Sequence, residues 1–228
     1  MRDGYNESPF NQVSPVVWAL LLPIVAMEVV LSAGEAGLVG GAAGIGWRSD
    51  ALTRFALDPR ILGAMVSHGQ WPLDLLMRFV TYPFVHASLM QTLMGGVFVL
   101  ALGKFVAEVF RAWAVPLLFV LASVVGGLAY SLVPGQTVML YGAFPGAYGL
   151  IGAFTFIVWA RLGLMHATRE RAFLFVGFLL GFQLIMWVLF GGPLTFVADL
   201  AGFATGFALS FALVPGGGAQ LLARMRRR

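Results

Sequence analysis

Six apolar runs, each long enough to cross a bilayer, leave this chain very few ways to fold. About 20 apolar residues cover about 30 Å of hydrocarbon. Runs of that kind fall at 13–38, 79–105, 113–133, 141–159, 173–190 and 195–214. In lipid the backbone must satisfy its own hydrogen bonds, so runs of this length form helices. The expected fold is all-α: a polytopic bundle of six transmembrane helices with a long interfacial loop between the first and second. Composition agrees, since 60% of residues are hydrophobic, 11% are charged and mean hydropathy is +0.89. So little polar surface cannot clothe a soluble globule of 228 residues.

The expected organisation is a polar cytoplasmic tail at 1–12, a membrane domain at 13–216 and a basic cytoplasmic tail at 217–228. The first run is longer than a signal-peptide core and has no small-residue cleavage pattern close behind it, so it reads as a retained span. The loop at 39–78 carries Trp47, Arg48, Asp50, Arg54, Asp58, Arg60, His68, Trp71 and Asp74. Its mixture of aromatics and isolated charges predicts a part-helical lobe in the membrane interface.

In a six-span chain Arg2, Lys104, Arg111, Arg161, Arg169, Arg171 and the four tail arginines fall on one side. Arg48, Arg54, Arg60 and Arg78 fall on the other, partly offset by acids. This asymmetry predicts that both termini are cytoplasmic. It also accounts for the net charge of +4 without nucleic acid. The C-terminal run can rest on anionic lipid headgroups. Cysteine is absent, which excludes thiolate nucleophiles and disulfides. No His, Asp and Glu spacing suggests a metal site, and no phosphate-binding glycine loop is present, so no cofactor is expected.

Ionisable and amide side chains inside spans need a partner or a task. Here these are Glu28, His86, Gln91, Gln183 and Asp199. Glu28 reads as a paired or protonated helix lock. Asp199 stands one turn before Gly202 and two turns before Gly206, on a glycine seam. In the fourth run Gly146, Gly149 and Gly152 form a narrow face around Tyr148.

These residues resemble the rhomboid intramembrane serine proteases. The second run and its lead-in, MRFVTYPFVHASLMQTLMGG followed by LGKFVAE, carry the likeness, with Arg78, His86, Gly103 and Glu108 as scaffold positions. GAYG in the fourth run and DLAGFATG in the sixth continue it in order and spacing, adding Gly146, Gly149, Gly202 and Gly206. The bacterial inner membrane is the location the resemblance implies.

The resemblance also implies where catalysis would sit. The family's nucleophilic serine falls at Tyr148, its histidine base at Asp199, and its two oxyanion side chains at Gln91 and Gly95. A phenol ionises near pH 10 and a carboxylate is a weak base, while Gly95 has no side chain to offer. The expectation is a pseudoprotease with no catalytic residues, and no serine near the spans, Ser88, Ser123, Ser131 or Ser210, has an evident histidine partner. His68 is in the first loop without a serine partner, and His166 is placed at the cytoplasmic end. His86 is expected to hold the first loop against the second span. Tyr148 is expected to face Asp199, either donating a hydrogen bond to it or plugging the old substrate space while Asp199 meets water.

Three functions fit. The first is an inactive relative that binds transmembrane segments of an integral membrane partner, as adaptor, chaperone or subunit, with the stripe at Phe173, Phe175, Phe178 and Phe182 available to lipid or helix. The second is an enzyme with an unconventional Tyr148 and Asp199 site acting on a membrane protein or a lipid. The third is a transport or flux protein with Glu28, Gln91, Gln183 and Asp199 lining one polar cavity.

Overall fold

A computed structural model describes residues 13–214, and the two expected tails at 1–12 and 217–228, with Arg2 and the C-terminal arginines, lie outside the described residues. Ten α-helices follow in order: α1 (Pro15–Glu35), α2 (Gly41–Gly44), α3 (Trp47–Phe55), α4 (Arg60–His68), α5 (Leu73–Thr81), α6 (Leu89–Ala107), α7 (Ala114–Ser131), α8 (Phe144–Leu164), α9 (Leu174–Phe190) and α10 (Phe196–Leu213). Six of them, α1, α6, α7, α8, α9 and α10, are long and apolar enough to cross a membrane, α9 being continuous with a 3₁₀ turn at Arg169–Phe173. The architecture is the six-span helical bundle expected.

The starts of the second and fourth spans differ from the sequence reading, and the fourth also runs on to Leu164 rather than ending at 159. The second span begins at Leu89 rather than at residue 79. Pro83 sits in a 3₁₀ turn at Tyr82–Phe84, Val85 is extended, and Ser88 caps α6 by accepting the Gln91 N–H. Residues 79–81 therefore end α5, outside the span. The fourth span begins at Phe144 rather than at 141, because Gly142 takes a left-handed φ of 93° and the helix starts only at the next turn, with Pro145 in its first two positions.

The long connection after α1 is part-helical. Its centre is anchored by a two-way backbone pair in which Leu57 and Leu140 each donate an N–H to the other's carbonyl at 2.9 and 2.8 Å. Arg78 adds an N–H to the Ala56 carbonyl at 3.3 Å, and the Tyr82 hydroxyl donates to the Ser123 carbonyl of α7 at 2.7 Å.

The bundle centre is α8, more than half of whose apolar stretch is buried. Small residues make that possible. A Cβ on Gly206 would fall on the Gly149 carbonyl, and one on Gly202 would fall on the Pro145 carbonyl, so α10 rides backbone to backbone on α8. Gly152 serves the same contact, against Phe203 and Phe207. Gly146 does not: a Cβ there would meet Phe119 and Ser123 of α7. The expected single glycine face thus divides between two neighbours. Gly103 packs on Val17 of α1, and Glu108 follows the last residue of α6, exposed. By contrast α9 is almost wholly unburied, Val176 being its buried residue.

Candidate functional site

The N-terminal ends of α6, α8 and α10 and the C-terminal end of α9 lie at one face of the bundle, as the alternating course of six spans requires. Tyr148 is on the second turn of α8 and only 4% exposed. Asp199, on the first turn of α10, is 6% exposed. The expected bond between them is replaced by a bridge: Gln183 of α9 donates from Nε2 to the Tyr148 hydroxyl at 3.0 Å and to Asp199 Oδ2 at 3.0 Å. An amide nitrogen carries two hydrogens, so one side chain serves both partners. Gln183 Oε1 is left buried with no hydrogen-bond partner. Sequence reasoning marked Gln183 as an intramembrane polar residue but did not place it between the other two. Its signal was its cost in lipid, which is relieved only by polar neighbours.

Beside this triad, Gln91 is committed locally, its Oε1 accepting the Ala87 N–H at 2.9 Å. A Cβ on Gly95 would stand 3.3 Å from His86 Nε2 and 3.4 Å from the Ala143 Cβ, so this position is filled by its neighbours. The ring of His86 reaches α8 rather than the first loop: Nε2 accepts the Ala143 N–H at 3.2 Å, at the residue that precedes the helix. Burial away from water depresses His86 to about 4, and the neutral ring is the form that can accept this bond. Its link to the loop is made by the backbone, the His86 carbonyl accepting from Arg48 Nη1 at 3.1 Å.

Glu28 is paired, as expected of a helix lock, and stands apart from the polar cavity in which the transport reading put it. Arg48 of α3 donates to both its oxygens, at 2.8 and 3.0 Å, Ser32 and Thr92 each donate to it at 2.6 Å, and Arg48 also pairs with Glu35 at 2.6 Å. Two carboxylates hold the Arg48 guanidinium well above its ordinary range. Glu28 is therefore an ion-paired lock, and the cavity that Gln91, Gln183 and Asp199 line does not include it. Arg48 was legible only as one of several loop charges.

Two adjoining cavities open here, of about 260 and 460 Å³, sharing Gln91, Phe144, Pro193, Thr195 and Asp199. The remaining sequence candidates do not enter them. His68 is exposed at the end of α4 beside Ser67, with Oγ and Nδ1 3.1 Å apart. The Ser123 hydroxyl donates to the Phe119 carbonyl, Ser131 to Gly127 and Ser210 to Gly206. His166 lies just beyond α8, at the opposite face of the bundle. Among the described residues no group of His, Cys, Asp and Glu gathers to hold a metal ion.

Fold and site together define a multi-pass helical membrane protein with a polar triad at one end of a glycine-packed core. A rhomboid domain matches residues 74–216, well over half of the chain, and the protein belongs to the rhomboid family. No curated protein matches it.

Proposed function

We infer that this rhomboid-family protein is not a peptidase but binds transmembrane segments of an integral membrane partner, as adaptor, chaperone or subunit. The observation that carries the reading is the Gln183 bridge: the phenol at the family's nucleophile position and the carboxyl at its base position are both engaged by one amide, with the Tyr148 ring buried where a scissile peptide must lie. At the two oxyanion positions Gln91 keeps an amide N–H2 while Gly95 offers no side-chain donor. Loss of one oxyanion donor costs about 10²- to 10³-fold in rate before loss of nucleophile and base is counted.

What supports partner binding is α9. It leaves Phe178, Phe182, Ile185, Val188 and Phe190 exposed, and its polar tie to the bundle is Gln183. A weakly packed span is free to exchange lipid contact for helix contact. A location in the bacterial inner membrane with both termini cytoplasmic goes with this reading.

Purification from native membranes in gentle detergent, followed by mass spectrometry, tests it. A stoichiometric membrane partner supports the adaptor. Labelling by a fluorophosphonate, or cleavage of a model transmembrane substrate lost in Tyr148→Phe, would overturn the non-catalytic part.

A further inference from the structure

The cavity of about 460 Å³ has a composition that the adaptor reading leaves unused. Its walls include the rings of Phe144, Phe182, Trp187, Phe190 and Phe196, and at its base stand Asp199 and Gln183. Two of the rings are held in place, since Trp187 and Phe196 meet edge to face at 6.0 Å and the Trp187 indole N–H donates to the Gly192 carbonyl at 3.0 Å, while Phe182 and Phe190 form the exposed rim. Asp199 has Gln183 as its hydrogen-bond partner, and among the described residues no Lys, Arg or His side chain lines either cavity. An acid among aromatic residues, with no basic side chain beside it, is complementary to a positive charge whose surface is partly hydrocarbon. Aromatic faces attract such a cation through their quadrupoles, and an acidic group supplies the countercharge.

We propose that this cavity is a binding site for an organic ammonium group. The volume suits a head of choline or ethanolamine size with room for part of its substituent. The site lies between the first turn of α10 and the C-terminal half of α9, opening towards the end of the bundle where both free amines and the amine headgroups of lipids arrive. The cavity shares Phe182 and Phe190 with the α9 face offered to a protein partner, and amine binding is read separately from partner recovery.

Calorimetric titration of the purified full chain in maltoside detergent tests it, with choline, ethanolamine and the uncharged choline isostere 3,3-dimethylbutan-1-ol as probes. Saturable binding of either amine, at least tenfold tighter than that of the alcohol, is expected. Asp199→Asn keeps an oxygen for the Gln183 N–H but removes the charge, and is expected to lower amine affinity at least tenfold. Trp187→Ala, on the lightly packed α9, is expected to do the same and serves if the first variant fails to fold. Native mass spectrometry with retained lipids separates the sources: selective retention of phosphatidylethanolamine or phosphatidylcholine over phosphatidylglycerol, lost in the same variants, assigns the site to a headgroup. Free-amine binding without that retention assigns it to a soluble amine. Equal binding of the neutral isostere, unchanged affinity in both variants, or neither free-amine binding nor lipid selectivity overturns the proposal.

Discussion

Glu28 in α1 and Arg48 in α3 face each other through two hydrogen bonds, of 2.8 and 3.0 Å, with both side chains less than a tenth exposed. This pair is the clasp between the loop lobe and the membrane bundle, because Thr92 of α6 and the His86 carbonyl join it from the other side. Removing Arg48 leaves the Glu28 carboxylate buried without a countercharge, whereas removing Glu28 leaves Arg48 paired to Glu35. Arg48→Ala is expected to cost about 3–5 kcal/mol and Glu28→Ala less. The double variant is expected to cost less than the sum. Thermal unfolding in detergent checks both.

Acid should loosen the same region through His86. Its folded value of about 4 lies below the ordinary 6.5, so the unfolded chain binds the proton first as pH falls. The stabilisation is complete above pH 6.5 and is lost progressively towards pH 4, amounting to about 3 kcal/mol. Protonation also removes the acceptor for the Ala143 N–H. Unfolding midpoints between pH 7 and pH 4 should fall in the native chain and fall less in His86→Gln.

Glycine substitutions should divide sharply by helix. Alanine at Gly206 or Gly202 places a methyl on backbone carbonyls of α8, which cannot rotate away, and a loss of about 2–3 kcal/mol is expected. Alanine at Gly177 or Gly181 of α9 meets nothing within 4 Å. There the better helix former should leave stability unchanged or raise it by up to ~1 kcal/mol. Unfolding in detergent of the four single variants is the measurement.

Gln183→Leu removes both hydrogen bonds that tie α9 to α8 and α10. Each is worth about 0.5–1.5 kcal/mol, so global stability should fall modestly. Local order should fall more, because so little of α9 is buried. Hydrogen exchange is expected to accelerate in Leu174–Phe190 while α8 and α10 stay protected; equal acceleration in all three helices would count against a loosely held α9.

Much of this fold is written in one dimension. Apolar run length sets six helices, and the order Arg78, His86, Gly146, Gly149, Gly202, Gly206 points to the family, because these depend on local hydropathy and on residue type at fixed spacing. Span ends were less legible: Phe79–Val85 is apolar enough to be read as membrane, and only the 3₁₀ turn at Pro83 and the Ser88 cap stop it.

What the tertiary structure alone decided is pairing. Nothing in a linear pattern joins Arg48 to Glu28 across 20 residues, or sends the His86 ring to Ala143 across 57. The same holds for Tyr148 and Asp199, which the sequence set face to face and the structure joins through Gln183. A residue's type and its cost in lipid are properties of the chain itself. Which partner offsets that cost depends on where three helices converge, and convergence is fixed only when the glycine seams of α8 and α10 have closed.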